Sequence, residues 1–314
     1  MSKAILTLTV NPALDRIITV DRLVFEDRAY IDSTTEAAGG RGINAARMLT
    51  SFGAQTVAVT TSGRDVGRLF EEQLQHDTFT KEIVRISSNI RTNLTISDRQ
   101  GLSVKLNERG PKLTKAEQQR IIKAVANLLP KASWLMLCGS LPPGVDEHLY
   151  TELIRLAEKN RVETLLDTDG DALLHGVEAG PTIVKPNQSE AERLLNTALI
   201  TRSQLIDAVQ RIKAWGPKSV VLSLGGRGAI AATSTEGVLE VVPPPVQVLS
   251  PIGAGDAMSA VIVWALTRGE SFGEALRWGV AAGTASSKLP GITLANLEQT
   301  KEIYPQTQLN RIVV

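Results

Sequence analysis

The chain has 314 residues, 43% hydrophobic and 21% charged, a composition that excludes disordered, collagen-like and membrane-spanning classes. Lys and Arg total 34 against 33 Asp and Glu, for a formal charge of +1, so the basic excess of a nucleic-acid binder is missing. A single cysteine, Cys138, rules out an intramolecular disulfide, suits a reducing cytosol, and with three scattered histidines cannot build a Cys/His metal cluster.

The opening MSKAILTLTVNPALDR carries an apolar run too short for a signal peptide, and no stretch approaches the ~20 apolar residues of a spanning helix. A cytoplasmic protein without a membrane partner is expected. Ala4–Val10 reads as a strand, and Gly42–Phe52 as a helix stopped by Gly53. Gln55–Thr61 is a strand and Asp65–Gln75 a helix. Thr114 opens an amphipathic helix with the capping box TKAE, in which Glu117 reaches back over the first turn. Strand Trp134–Cys138, helix Glu147–Asn160 and strands Glu163–Asp167 and Ile183–Lys185 follow. Asn187 caps a short helix with Glu190 three residues on. Helix Ser203–Trp215 leads into strand Ser219–Leu224. The last quarter reads as helical: Gly255–Arg268, Ser271–Lys288 and about Leu294–Tyr304.

This βαβα alternation predicts an α/β fold, a mostly parallel sheet with helices on both faces. Arg16–Glu36 and Thr92–Asn107 break the pattern: strand-like, alternating and without helices, they read as a small β-sheet lid on a single domain spanning 1–314. Closing such a lid would exclude water from a site beneath it.

No G-x-x-x-x-G-K-[ST] occurs, which removes the P-loop enzymes. GGRGIN at 39–44 lacks the third glycine of a dinucleotide fingerprint and lies outside the first strand-to-helix turn. PIGAGDAMSA at 251–260 is more informative, leading from β-rich chain into an apolar helix. Gly253 and Gly255 let the backbone bend, and the free N–H groups at the helix start form an anion nest. Asp256 sits in the first turn, where an acid also complements the dipole. A nest beside a carboxylate is what phosphoryl transfer to a hydroxyl needs: one stabilises the moving charge, the other takes the proton.

GAGD before a small-residue helix resembles the C-terminal signature of ribokinase-like (PfkB-type) sugar kinases, and GGRGINAARMLTSFGA at 39–54 resembles their N-terminal one. GSLPPG at 139–144, KPNQSE at 185–190 and SLGGRGA at 223–229 are similar to the family's intervening motifs, in its order. The resemblance implies a ribokinase-like fold, ATP and Mg²⁺, with Asp256 as base and the amides of Gly253, Ala254, Gly255 and Asp256 as anion hole. It implies that Asn187 and Glu190 organise Mg²⁺ through water, that Lys185 contacts ATP, and that Ser223, Gly225 and Gly228 line the nucleotide site. The helix-cap reading of Asn187 and Glu190 stands beside this one.

NPALD at 11–15 resembles the phosphofructokinase and tagatose-phosphate kinase branch. That resemblance implies a sugar site of Asp15, Gly39, Gly40, Asn44 and Ser140, with Arg91 on the acceptor's own phosphate, where a guanidinium fork fits bidentately. Arg28, Arg41 and Lys105 lie in segments that could join it; the branch often has Lys or Gly in place of Arg41. SSKLPGIT at 286–293 loosely resembles the family's monovalent-cation loop, whose carbonyls could hold K⁺. The expected activity is ATP-dependent phosphorylation of fructose 1-phosphate or fructose 6-phosphate. The alternatives are tagatose 6-phosphate, an unphosphorylated sugar or nucleoside, and, from another class, a non-catalytic sugar or nucleotide sensor. A homodimer through the lid sheets is expected by family analogy.

Overall fold

The computed structural model describes residues 3–24 and 26–313; Phe25, inside the expected lid segment, lies outside the described residues. The strands, in chain order, are β1 (Ala4–Thr9), β2 (Ala13–Val20), β3 (Ile31–Gly39), β4 (Thr56–Ser62), β5 (Thr80–Arg85), β6 (Arg91–Asp98) and β7 (Ser103–Asn107). The chain continues with β8 (Ala132–Cys138), β9 (Glu163–Asp167), β10 (Ile183–Val184), β11 (Ser219–Ser223), β12 (Ala229–Thr233), β13 (Gly237–Val242) and β14 (Gln308–Ile312). Between them run α1 (Arg41–Ser51), α2 (Arg64–Leu74), α3 (Lys115–Leu128), α4 (Leu149–Lys159), α5 (Gly170–Glu178), α6 (Gln188–Leu195) and α7 (Arg202–Ala214). Three more helices, α8 (Ala254–Thr267), α9 (Phe272–Ser287) and α10 (Leu297–Ile303), precede the last strand.

The large sheet has the order β14-β13-β12-β11-β10-β9-β8-β1-β4-β5. Its strands from β5 to β11 are parallel, and β12, β13 and β14 extend it antiparallel. Strands buried on both faces need apolar residues at every position. Leu6, Leu8, Leu135, Leu137 and Leu166 pack with Ile121, Leu153, Leu173 and Val209 of α3, α4, α5 and α7. Ile5, Met136, Leu165 and Val221 pack on the other side with Met48, Val261 and Val280 of α1, α8 and α9. Helix α8 is buried continuously from Ala257 to Ala265, which explains why it is apolar all round.

From β1 the chain first builds β4 and β5 on one side, then returns to build β8 through β11 on the other. The crevice outside the carboxyl ends of strands at such a reversal is where open α/β sheets bind ligands. Residues 11, 139–140, 167–169, 185–187 and 223–225 all lie at or just beyond those carboxyl ends.

The second sheet is built where the helical pattern failed, in the order β3-β2-β6-β7. β2 pairs antiparallel with β3 and parallel with β6, which pairs antiparallel with β7. Its first strand begins at Ala13, so Asp15 lies on the sheet itself. The last quarter is not wholly helical: the last helix starts at Leu297, and Gln308–Ile312 pairs with β13 at the sheet edge. Five or six alternating residues at an edge carry too short a pattern to separate them from a helix end. Strands β5, β12 and β13 and helix α5 were likewise unassigned by periodicity.

Candidate active site

Glycine sets up the sugar side. A Cβ at Gly39 would stand 1.9 Å from Asp15 Oδ2, so a side chain there would displace the carboxylate. Asn93 Nδ2 donates to Asp15 Oδ1 at 2.9 Å across the β2–β6 pair. Burial raises the Asp15 carboxyl above its usual range, against the pull of Asn93 and Arg91. Burial lowers the pKa of the Arg91 guanidinium. Its Nη1 reaches only the Glu108 carbonyl, at 3.3 Å, and its buried Nε has no partner. Ser140 Oγ accepts from Asn11 Nδ2 at 3.4 Å, and the same amide donates to the Arg109 carbonyl at 3.0 Å. Gly40 caps α1, and Asn44 in its first turns donates to Asp256 Oδ2 at 2.8 Å, which joins the sugar side to α8.

Helix α8 starts at Gly253, whose φ of 78° is the left-handed conformation glycine tolerates. The first intrahelical bond runs from Ala257 N–H to the Gly253 carbonyl at 2.8 Å. The amides of Ala254, Gly255 and Asp256 precede it and are free for an anion. Burial, reinforced by the charge of Asp167, pushes the Asp256 carboxyl up to about 6; Asn44, Arg41 and Lys185 act in the other direction. A base poised near neutrality ionises at working pH yet still binds a proton well.

A cleft of about 600 Å³ runs from Asp256 along the carboxyl ends of β9, β10 and β11. Lys185, Asn187, Glu190, Ser223 and Gly225 line it, whereas Gly228 lies in the turn between β11 and β12, outside the lining. Pro243, Pro244 and Val246 form an apolar wall that sequence reading missed, although the PPP run marks a rigid segment. Asn187 accepts from Glu190 N–H while Glu190 Oε2 accepts from Asn187 N–H at 2.8 Å, so the capping box forms. Burial raises the Glu190 carboxyl, offset in part by Arg41.

Two acids missed by the sequence reading stand at the carboxyl end of β9 in the run DTDG, Asp167 as its last residue and Asp169 two positions on. Asp167 is 3% exposed. It accepts from Arg41 Nη1 at 2.9 Å, Lys185 Nζ at 3.0 Å and Ser259 Oγ at 2.8 Å. Burial alone would raise its carboxyl, but these cations hold it below its usual value. Paired acids two residues apart at a strand end were the available signal. Arg41, one of the cations in segments that could join the acceptor site, directs its hydrogen bonds to Asp167, Asp169 and Glu190. Arg28 and Lys105 are exposed. Among the described residues no group of three or more acidic, His or Cys side chains is arranged to hold a metal by itself, and no helix is long and apolar enough to cross a membrane. Asn187 and Glu190 lie at the cleft beside the nest, a donor set suited to a water-bridged, nucleotide-bound Mg²⁺.

A family model described as pfkB family carbohydrate kinase matches residues 9–299. The chain is 32% identical over 303 residues to ATP-dependent 6-phosphofructokinase isozyme 2 of Escherichia coli, covering 96% of this chain and 97% of that protein. It is 27% identical over 312 residues to 1-phosphofructokinase of Vibrio cholerae, covering 99% and 98%. Tagatose-6-phosphate kinase of Staphylococcus epidermidis is 28% identical over 308 residues, covering 97% and 99%. A crystal structure of the Escherichia coli phosphofructokinase-2 in complex with potassium superposes with a TM-score of 0.91 at 32% identity over 96% of this chain and 98% of that one. With the ordered motifs folded around one cleft and the likeness running almost end to end, the chain belongs to the pfkB family of carbohydrate kinases.

Proposed function

We propose that the protein is a phosphofructokinase-type kinase, transferring the γ-phosphoryl group of ATP to a hydroxyl of fructose 1-phosphate or fructose 6-phosphate. The observation that carries the phosphosugar part is Arg91: a half-buried guanidinium whose buried Nε has no partner and which feels the charge of the Asp15 carboxylate. A buried unpaired donor is costly, and a phosphate dianion is the ligand that satisfies such a fork. Asp15, Gly39, Gly40, Asn44 and Ser140 orient the sugar. The acceptor hydroxyl loses its proton to Asp256 as its oxygen bonds to phosphorus, the bridging oxygen–phosphorus bond of ATP breaks, and ADP leaves. The free amides of α8 hold the charge that develops on the moving group. Mg²⁺, when bound with ATP, neutralises phosphate charge; Asn187 and Glu190 would hold it through water, and Lys185, Ser223 and Gly225 would hold the nucleotide.

Likeness to a structure solved with potassium supports K⁺ at residues 286–293, where Ser250 Oγ already bonds the Gly291 carbonyl at 2.6 Å. The small sheet is read as the lid of a single kinase domain spanning the chain. Its Asp15–Asn93 face is polar. The opposite face carries Ile18, Ile96 and Val104 in register, and Leu94 beside Leu106, which is 51% exposed. A second copy of the chain is the partner that would cover it, as a homodimer. Tagatose 6-phosphate is the second acceptor to weigh, given the like extent of similarity to a kinase of that name.

The test is ADP release from Mg·ATP with fructose 1-phosphate, fructose 6-phosphate, tagatose 6-phosphate, free fructose and ribose. Turnover on one phosphosugar, lost in Arg91→Ala and in Asp256→Asn, is expected. Turnover on free sugars alone would overturn the Arg91 assignment, and none on any acceptor would favour a non-catalytic sensor.

A further inference from the structure

NPALD contributes more than Asp15. Its Asn11 precedes a proline, which favours extended backbone, and lies two residues beyond β1, where the chain leaves the large sheet for the small one. β1 and β8 run parallel with Thr9 opposite Cys138, so the same two-residue step beyond β8 brings Ser140 alongside. Asn11 is 4% exposed, and its Nδ2 spends both hydrogens, one on the Arg109 carbonyl at 3.0 Å and one on Ser140 Oγ at 3.4 Å. Residues 108–110 are where the chain comes back from β7, the last strand of the small sheet. Gly110 crosses over the amide with a φ of 98°, and a Cβ there would stand 2.3 Å from Asn11 Oδ1. That oxygen is buried without a partner, which is costly, so the value of the side chain lies in what its two N–H groups hold. One residue back, the Glu108 carbonyl accepts from Arg91 Nη1 at 3.3 Å.

We infer that Asn11 is a positioning residue for the acceptor sugar: its amide frees the Ser140 hydroxyl to act as a donor and pins the segment returning from the small sheet onto the sugar side. Because Nδ2 donates to Ser140 Oγ, the serine's own hydrogen points away from Asn11, and among the described residues it reaches no acceptor. An oxygen of the sugar phosphate is a fitting partner for it. Two successive carbonyls of the returning segment are gripped, Glu108 by Arg91 and Arg109 by Asn11. The groups proposed to meet the acceptor's phosphate and its hydroxyls are therefore braced on one stretch of backbone. The inference deepens the kinase reading and rests on it for the identity of the sugar, whereas the clamp on Arg109 stands apart from it.

Wild type, Asn11→Ala, Asn11→Asp, Ser140→Ala and Asn11→Ala/Ser140→Ala are compared, each checked for a cooperative thermal transition. In steady-state ADP release with fructose 1-phosphate and with fructose 6-phosphate, Asn11→Ala is expected to raise the acceptor KM about tenfold and to leave the ATP KM within about twofold. Asn11→Asp has the same size without the N–H groups; it repels the Arg109 carbonyl and captures the Ser140 hydrogen, so the acceptor KM should rise at least as far. Adding Ser140→Ala to Asn11→Ala should cost no more than about a further twofold, because the two residues act through one bond. Trypsin cleavage after Arg109, whose carbonyl must be free to be cut, is followed without any ligand. It should be at least about fivefold faster in Asn11→Ala than in wild type and unchanged in Ser140→Ala. Equal cleavage of wild type and Asn11→Ala would overturn the inference, as would faster cleavage with an unchanged acceptor KM. Failure of the kinase reading would appear as wild type without turnover on either phosphosugar, and the cleavage rates would still decide the clamp.

Discussion

Two helices of this protein begin with the same local device and end with opposite electrostatics. Thr114 and Asn187 each cap a helix by accepting an N–H three residues on, and Glu117 and Glu190 each reach back to the cap's own N–H. At α3 the carboxylate also accepts from Ser87 N–H at 2.7 Å; although burial acts to raise it, these hydrogen bonds pull Glu117 down to about 2. At α6 burial dominates, Asp167 adds like charge, and Glu190 is raised despite Arg41. The lesson is that a capping box specifies where a helix starts, while the neighbours brought in by the fold decide whether its acid stabilises the protein or waits for a ligand.

The strongest way to sharpen this contrast is to change another helix start with an acid in its first turn, that of α8. Asp256→Asn should lower kcat by about 1,000-fold or more while the fold persists, measured by ADP release at saturating substrates. Its stability effect has the opposite sign. A carboxyl raised from 3.8 to about 6 binds more protons folded than unfolded, so stability falls as pH rises from about 4 to about 6. Removing that carboxylate should therefore raise stability at pH 8, by about 1 kcal/mol in a urea titration.

Next in size, Glu190→Gln should cost about 100-fold in rate with little change in the melting temperature, since glutamine also completes a capping box and the ionised acid, being raised, favours the unfolded chain. A large loss of stability with unchanged rate would place Glu190 with Glu117 and break the contrast. The pH profile comes third. kcat/KM should fall about tenfold per pH unit below about 6 and level off above it, since the free enzyme's base must be ionised.

The smallest effect is expected at Glu117. Glu117→Gln should leave the rate unchanged and destabilise the protein by about 1–2 kcal/mol at pH 7. For a carboxyl lowered from 4.5 to about 2, the stabilisation is complete above about 4.5 and is lost as pH falls toward 2. Wild type but not Glu117→Gln should show that acid-limb loss in equilibrium unfolding.

Much of this was legible from residue order. Periodicity located the parallel core, because strands buried on both faces and helices buried on one carry long, distinct patterns. GAGD, NQSE and the glycines of GGRGIN could be read as a nest, a cap and a close approach, since backbone conformation and first-turn hydrogen bonds are local. The antiparallel strands β12 to β14 were not legible: each is only five or six residues long, too short a run to leave a period, whether paired on both sides like β12 and β13 or at the edge like β14.

Nor could the sequence pair residues far apart in the chain. Arg41 reads as one more basic residue near a sugar motif; only the fold carries Asp167, Asp169 and Glu190 to it across more than 120 positions of chain. Asn93 and Asn11 stand in for nothing until β6 lies beside β2 and β1 ends beside β8. The sequence by itself determined the fold class, the helix starts and the acid at the head of α8, all set by interactions within a few residues. Which charges face one another, and hence which acid is raised and which lowered, was decided by tertiary structure alone, because Coulomb energy and desolvation depend on distance through space and on burial, neither of which residue order contains.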